Sequence, residues 1–440
     1  MSGVEAGFAG FTVLLFLLAI RMPIALAMIV VGLGGLLFVG SPKIMLNMLK
    51  NQMFYQYLNY DLSVIPLFLL MGQFASKAGF STALFKAANA FLGHRKGGIA
   101  MAAVGGCAGF GAICGSSLAT AAAMAQVALP ELKRHNYSGA LATGALAAGG
   151  TLGILIPPSI ILVIAAVLTE GNIETLFQAA LIPGIMAALG YILAIAIYVR
   201  IWPTEGPAGK RSSSEERIHS LLKIWPVLMI FIIVIGGIYA GIFTPTQGAA
   251  VGAAGTGLTA FILGGMRLKG FVESLLGTAS TTAMIFLVLF GAGVLNSFLG
   301  YTGTPRLVAS FISDSSVSPM LVLLIMIAIF VMLGCLMDSL SMILLLLPIF
   351  WPIILGLDFG MEVDDLRAWF CIIALIVVEI GLITPPVGLN VFIINSMADG
   401  VPMRESFIGV TPFLITDAIR VAALITLPGI TLLLPHLLAR

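Results

Sequence analysis

Two membrane-length apolar stretches, far apart in the chain, are each interrupted by a proline doublet: Gly149-Gly150-Thr151-Leu152-Gly153-Ile154-Leu155-Ile156-Pro157-Pro158 and Glu379-Ile380-Gly381-Leu382-Ile383-Thr384-Pro385-Pro386. Two consecutive prolines remove two backbone donors and clash with the preceding turn, so no uninterrupted helix runs through either site. The carbonyls freed there are tolerated at membrane depth only when buried in protein or lining a cavity. Paired broken helices in two halves of one chain point to the binding site of a transporter.

Composition sets the solvent. Of 440 residues, 60% are hydrophobic and 9% charged, against about a quarter charged in a soluble domain. The chain reads as an all-α polytopic membrane protein with room for roughly ten or more spans of about 20 apolar residues. No large soluble domain fits beside them. A net charge of +2 gives no basis for binding nucleic acid. Cys107, Cys114, Cys335 and Cys371 lie in apolar runs without metal-ligand spacing and read as small buried side chains. The histidines make no metal or catalytic cluster, so neither a transition metal nor an organic cofactor is expected. Residues 8–20 lack the basic start and cleavage site of a signal peptide and read as a retained first helix.

Basic clusters mark the cytoplasmic side. His94-Arg95-Lys96 and Lys133-Arg134-His135 flank the apolar segment 97–129, so both of its ends are expected in the cytoplasm. Its Gly-Ser-rich middle, Gly109-Phe110-Gly111-Ala112-Ile113-Cys114-Gly115-Ser116-Ser117, supplies the tip of a re-entrant hairpin. The counterpart Gly334-Cys335-Leu336-Met337-Asp338-Ser339-Leu340-Ser341 lies within 319–357. Asp314, Asp358, Glu362, Asp364 and Asp365 flank it, with Arg306 and Arg367 the nearest basic residues, so this hairpin is expected to open outward. The threading gives a first repeat over 1–200, with its hairpin at about 97–132 and broken helix at about 138–168. A polar cytoplasmic linker follows at 201–223. The second repeat, 224–440, has its hairpin at about 319–357, its broken helix at about 366–397 and a final helix from about 407 to 434. Lys43 and Lys50 fall outside, against the charge rule.

The halves match at further anchors in the same order. Arg21-Met22-Pro23-Ile24-Ala25 corresponds to Phe243-Thr244-Pro245-Thr246, Leu69-Leu70-Met71-Gly72 to Val288-Leu289-Phe290-Gly291, and Glu170-Gly171 and Pro183 to Asp399-Gly400 and Pro412, at an offset of about 220 to 230 residues. Opposite charge bias around the hairpins makes the expected repeats inverted in the membrane. Inverted halves supply two states of similar energy for alternating access.

Each half thus combines a hairpin tip with a break, offering small polar side chains, unwound carbonyls and half-helix ends. Hard cations such as Na+ take oxygen ligands of this kind, and half-helix N-termini favour an anionic substrate group. One Na+ site is expected per half. The first would use Ser116, Ser117, Thr151 and carbonyls near Gly115, Gly150 and Pro157. The second would use Asp338, Ser339, Ser341, Thr384 and carbonyls around Gly381 and Pro385. Substrate is expected between the tips, touching Ser116 and Ser339, with Asn390 a further polar contact. Acids inside apolar runs are functional candidates by default. Asp338 lies on a tip and is the stronger; Glu379 stays open between a functional and a structural acid. Gly105, Gly106 and Gly144 read as close helix packing, Pro183 and Pro412 as kinks, and Asp417 with Arg420 as a pair three residues apart.

Taken together, these residues resemble the large membrane subunit of TRAP transporters, the tripartite ATP-independent periplasmic carriers of the DctM type. The resemblance rests on Ile65-Pro66-Leu67-Phe68-Leu69-Leu70-Met71-Gly72, the 111–120 tip, the 149–158 break, Phe243-Thr244-Pro245-Thr246-Gln247-Gly248-Ala249 and the 379–390 break, and it spans nearly the whole chain. It implies an elevator carrier, in which a transport domain of hairpins and broken helices slides against a scaffold of outer helices and an amphipathic arm. It further implies Na+-driven import of an organic acid such as a dicarboxylate, sialic acid or other sugar acid across a bacterial inner membrane. The implied partners are a soluble periplasmic substrate-binding protein and a separate small membrane subunit of four helices. The first break has Ile156 where the second has Thr384, and the first tip has no acid matching Asp338, so the two ion sites need not be equivalent.

Two other classes compete. An intramembrane enzyme would need paired acids facing one cavity, nominally Asp338 with Glu379, but neither lies in a hydrolase motif, so no enzyme is expected. A standalone Na+-coupled carboxylate carrier needing no binding protein is the alternative. Without a Gly-x-x-x-x-Gly-Lys-Ser/Thr phosphate loop, any ATP dependence would require another chain.

Overall fold

The computed structural model of the protein describes residues 3–304, 307, 310 and 317–438. Arg306 and Asp314, two of the charges that orient the second hairpin above, lie outside the described residues. Within them the chain is helical without strands. The first half runs α1 (Gly3–Ala19), α2 (Ile24–Val39), α3 (Pro42–Tyr57), α4 (Val64–Lys77), α5 (Phe80–Leu92), α6 (Gly98–Cys114), α7 (Ser117–Arg134), α8 (Gly139–Leu155), α9 (Ile160–Leu168) and α10 (Ile173–Ile201). The second runs α11 (Ser214–Tyr239), α12 (Pro245–Ile262), α13 (Leu268–Thr302), α14 (Pro319–Gly334), α15 (Ser339–Leu355), α16 (Val363–Gly381), α17 (Leu389–Met397), α18 (Met403–Thr426) and α19 (Gly429–Leu438).

Helix starts follow local chemistry. Thr244 accepts the Gln247 N–H while the Gln247 side chain accepts the Thr244 N–H, and Pro245 takes the first helical position, where its missing donor costs nothing. That is the physical content of the Thr-Pro-Thr-Gln anchor. Ser213 and Glu216 make the same reciprocal box at α11, and Asn172 accepts from Glu174 and Thr175 at α10.

Among the described residues, four helices are long and apolar enough to cross a membrane, or six if two bent pairs each count as one span. That is fewer than the ten or so that length alone allows, because most hairpin arms and pieces of the broken helices are only 9 to 17 residues long, and the longer α7 and α16 carry several charged residues. On α10 the residues Leu189, Leu193, Ile197 and Ile201 form an exposed stripe while Ala187, Tyr191 and Ile195 face the core. A helix apolar on both faces suits a lipid surround.

The packing is crossed between halves. Hairpin α6/α7 packs on α8 and hairpin α14/α15 packs on α16. The segment after each break then packs on the other half's hairpin: α9 lies against α15, and α17 lies against α7 and α8. A single apolar core runs through all of these helices. The same core continues into α1, α2, α4, α12 and α13, where α1 and α2 pack on α13, and α4 packs on α12 and α13.

Two expectations about boundaries are corrected. The linker placed at 201–223 is helical from Ser214 onward, because the Ser213 and Glu216 capping box starts α11 before the apolar run begins. The final helix placed at about 407–434 is two helices, since Pro428 lacks an N–H and disfavours helical backbone at Leu427.

Candidate functional site

At the first break α8 ends at Leu155, Ile156 and Ser159 are extended, and α9 leaves at 48°. Pro157 and Pro158 cannot supply the N–H groups that would reach the Gly153 and Ile154 carbonyls in a continuous helix. The peptide between the two prolines is cis, as it is between Pro385 and Pro386. The first tip closes directly on this break. Gly115 turns the hairpin at a φ of +64°, where a side chain is strained, and a methyl group there would sit 3.0 Å from the Pro158 carbonyl oxygen. Ser116 caps α7 by accepting the Ala119 N–H. Lower down, a methyl on Gly111 would sit 2.5 Å from the Gly153 Cα, so the two backbones touch.

The second half repeats the contact with different atoms. A methyl on Gly381 would sit 2.6 Å from the Gly334 Cα. Asp338 caps α15, accepting from the Ser341 N–H at 3.1 Å and the Ser341 hydroxyl at 2.6 Å. The second break partly repairs itself: Thr384 N–H donates to Gly381 O at 3.1 Å and Asn390 N–H to Leu382 O at 3.0 Å. The Thr384 hydroxyl turns back to Ile380 O at 2.7 Å.

The tips meet at one acid. Ser117 of the first tip and Ser339 of the second both donate to Glu379 Oε1, at 3.3 Å and 2.5 Å. Glu379 is 1% exposed and its Oε2 has no partner. Asn390 is fully buried; its amide donates to Ala147 O at 3.4 Å and its Oδ1 is unpartnered. The Ser159 hydroxyl, at the first break, is also buried without a partner, while the Thr120 hydroxyl lies against the Cys114 thiol. Buried oxygens of native proteins are ordinarily bonded, and those of Glu379, Asn390 and Ser159 are left with capacity for a further partner. Hydroxyl, amide and carboxylate oxygens are ligands for a hard cation, and Na+ fits them.

The structure does not bring every expected residue to this point. Gly150 and Thr151 lie inside α8, one turn before the break, because the prolines interrupt the ladder only from Gly153 onward. Gly150 therefore offers no unwound carbonyl. The Thr151 hydroxyl donates to Ala148 O at 2.6 Å and lies 3.2 Å from the Tyr191 hydroxyl. It belongs to a second buried network: Tyr191 donates to Asp417 Oδ2 at 2.7 Å, and Arg420 donates to Asp417 Oδ1 at 2.7 Å. Asp417 and Arg420 are 1% and 4% exposed, and Arg420 Nε and Nη1 are unpartnered. The residues that spacing alone passes over are Thr120, Ser159 and Tyr191, and the meeting of both tips on Glu379. The one available signal was an acid two residues before a glycine that ends a helix.

A family profile described as "Tripartite ATP-independent periplasmic transporter, DctM component" matches residues 11–430. The chain is 37% identical over 379 residues to the C4-dicarboxylate TRAP transporter large permease protein DctM of Pseudomonas aeruginosa, covering 86% of this chain and 87% of that one. It is 30% identical over 429 residues to the sialic acid TRAP transporter large permease protein SiaM of Vibrio cholerae, covering 96% of each. In fold it is similar to the crystal structure of the Alcanivorax borkumensis YdaH transporter, with a TM-score of 0.65 at 14% identity, covering 88% of this chain and 89% of that one.

Proposed function

Since this chain belongs to the DctM component family of tripartite ATP-independent periplasmic transporters, we propose that it is the translocating subunit of a Na+-coupled importer of a small organic acid. It is a multi-pass membrane protein whose relatives are permeases and not enzymes. The relatives' names point to a C4-dicarboxylate or a sialic acid as the substrate. The family's tripartite description supports a small membrane subunit and a periplasmic substrate-binding protein as partners, in a bacterial inner membrane. It does not favour a carrier working alone.

The observation that carries the reading is the gathering of two tips and two breaks around buried oxygens with no partners. On this reading 1–200 and 224–440 are inverted repeats. Bound Na+ supplies positive charge at each tip. Ser116, Ser117 and the Gly115 and Pro157 carbonyls would hold one ion; Asp338, Ser339, Ser341 and carbonyls near Gly381 and Pro385 would hold the other. The acid would lie between Ser116, Ser339 and Asn390, excluded from lipid by both hairpins. The tips, the breaks, α10 and α18 would travel as one block past α1, α2, α4, α12 and α13, in an elevator stroke.

The test is uptake into proteoliposomes holding the chain and its small subunit, with the binding protein and labelled dicarboxylate or sialic acid added outside under an inward Na+ gradient. Uptake should require all three proteins and Na+, and Asp338→Ala should lower it and weaken its Na+ dependence. Equal uptake without the binding protein or without Na+ would refute the corresponding part.

A further inference from the structure

Ser117 and Ser339 are the first residues of α7 and α15, on tips from opposite halves, yet their hydroxyls donate to a single atom, Glu379 Oε1. A hydroxyl that gives its proton to a carboxylate keeps its lone pairs free for another partner. The helix starts matter as well. Each helix N-terminus is equivalent to about half a positive charge, so two of them at one place would repel a cation and attract an anion. An ionised Glu379 would add its negative charge to that of Asp338, which already caps α15, against this field. The other Glu379 oxygen, Oε2, is buried and bonded to nothing, so half of the carboxylate's acceptor capacity is unused within the protein.

Resting on the sodium-coupled reading above, we propose that Glu379 is the shared positioning carboxylate of both cation sites. It opposes the positive ends of α7 and α15 and holds the Ser117 and Ser339 hydroxyls with their lone pairs presented to cations. One acid therefore sets the affinity of two ions, and its loss weakens both together. Groups that orient a metal's ligands in this way typically govern affinity by about 10-fold to 100-fold.

Glu379→Gln separates charge from shape, because the amide oxygen still accepts from both serines. In the reconstituted complex, the Na+ concentration for half-maximal uptake should rise by about 10-fold to 100-fold. The KM for the organic acid at saturating Na+ should not rise, since the tip field has become more positive. A role in folding alone would not split the two constants in this way. Ser117→Ala and Ser339→Ala should each raise the Na+ requirement, and each should have a smaller effect in the Glu379→Gln background than alone. Additive effects with either serine overturn the proposal, as does a wild-type Na+ titration in Glu379→Gln. Should Glu379→Gln fail to assemble, the two serine variants decide, and an unchanged Na+ requirement in either is fatal. Wild-type uptake indifferent to Na+ removes the sodium reading and this proposal with it; a Na+ dependence left unshifted by Glu379→Gln removes only this one.

Discussion

Asp417→Ala should be the most damaging small change in the chain outside the tips. Arg420 is 4% exposed and has one partner, Asp417, at 2.7 Å; its Nε and Nη1 donate to nothing. Removing the carboxylate leaves a buried guanidinium with no acceptor, a loss of about 3–5 kcal/mol. It also removes the hydrogen bond that the Tyr191 hydroxyl donates to Asp417 Oδ2 at 2.7 Å, leaving Thr151 as its neighbour, for up to about 1 kcal/mol more. In a bilayer the unfolded chain finds partners too and hydrogen bonds average nearer 0.6 kcal/mol, so about 3–5 kcal/mol in total is expected. Detergent-driven unfolding followed by tryptophan fluorescence reads this directly. Trp369 is buried and donates to Leu424 O on α18, one turn beyond Arg420. Asp417→Asn, which keeps an acceptor for Tyr191, should lose less. Combining Asp417→Leu with Arg420→Met should recover most of the loss, because no charge is left behind. Asp417→Ala within about 1 kcal/mol of wild type, well below the buried-pair range, would refute the reasoning, as would a double variant whose losses simply add.

Gly115→Ala pairs a left-handed φ with a methyl 3.0 Å from the Pro158 carbonyl. It should cost about 1–2 kcal/mol from backbone strain alone and lower uptake in proteoliposomes by displacing the tip. Gly111→Ala and Gly381→Ala place a methyl 2.5 Å and 2.6 Å from a backbone Cα that cannot yield. Each should destabilise by about 1–3 kcal/mol in the same unfolding titration, and a neutral result at either would mean that tip and break are not in contact.

What could be read from the sequence is what the chain encodes locally. The proline doublets stop α8 and α16 within a few residues, Gly115 turns the first hairpin, and Thr244 with Gln247 starts α12, each through chemistry contained in a handful of neighbouring positions. The errors are local as well: a proline removes donors only from its own turn onward, so Gly150 and Thr151 stay helical. The convergence on Glu379 was not legible. Ser117 and Glu379 are 262 positions apart, and no periodicity says which of two buried acids a serine will find. Tyr191 and Asp417, 226 positions apart, were hidden for the same reason, although the Asp417 and Arg420 pair, three apart on one helix, was plain.

The four thiols acquire a use from where they sit. All are reduced and buried; Cys114 closes the first tip and Cys335 the second, while Cys107 and Cys371 lie deep in α6 and α16. With both tips closed, all four residues are at most 7% exposed, so alkylation is expected to be slow. Any stroke that parts a loop from its neighbouring interruption uncovers that loop's own sulfur first and leaves the deep pair dark. On the proposed inverted arrangement, the unaltered polypeptide would carry an indicator on each hairpin, and the one that reacts first would report from which face of the membrane the pathway had opened.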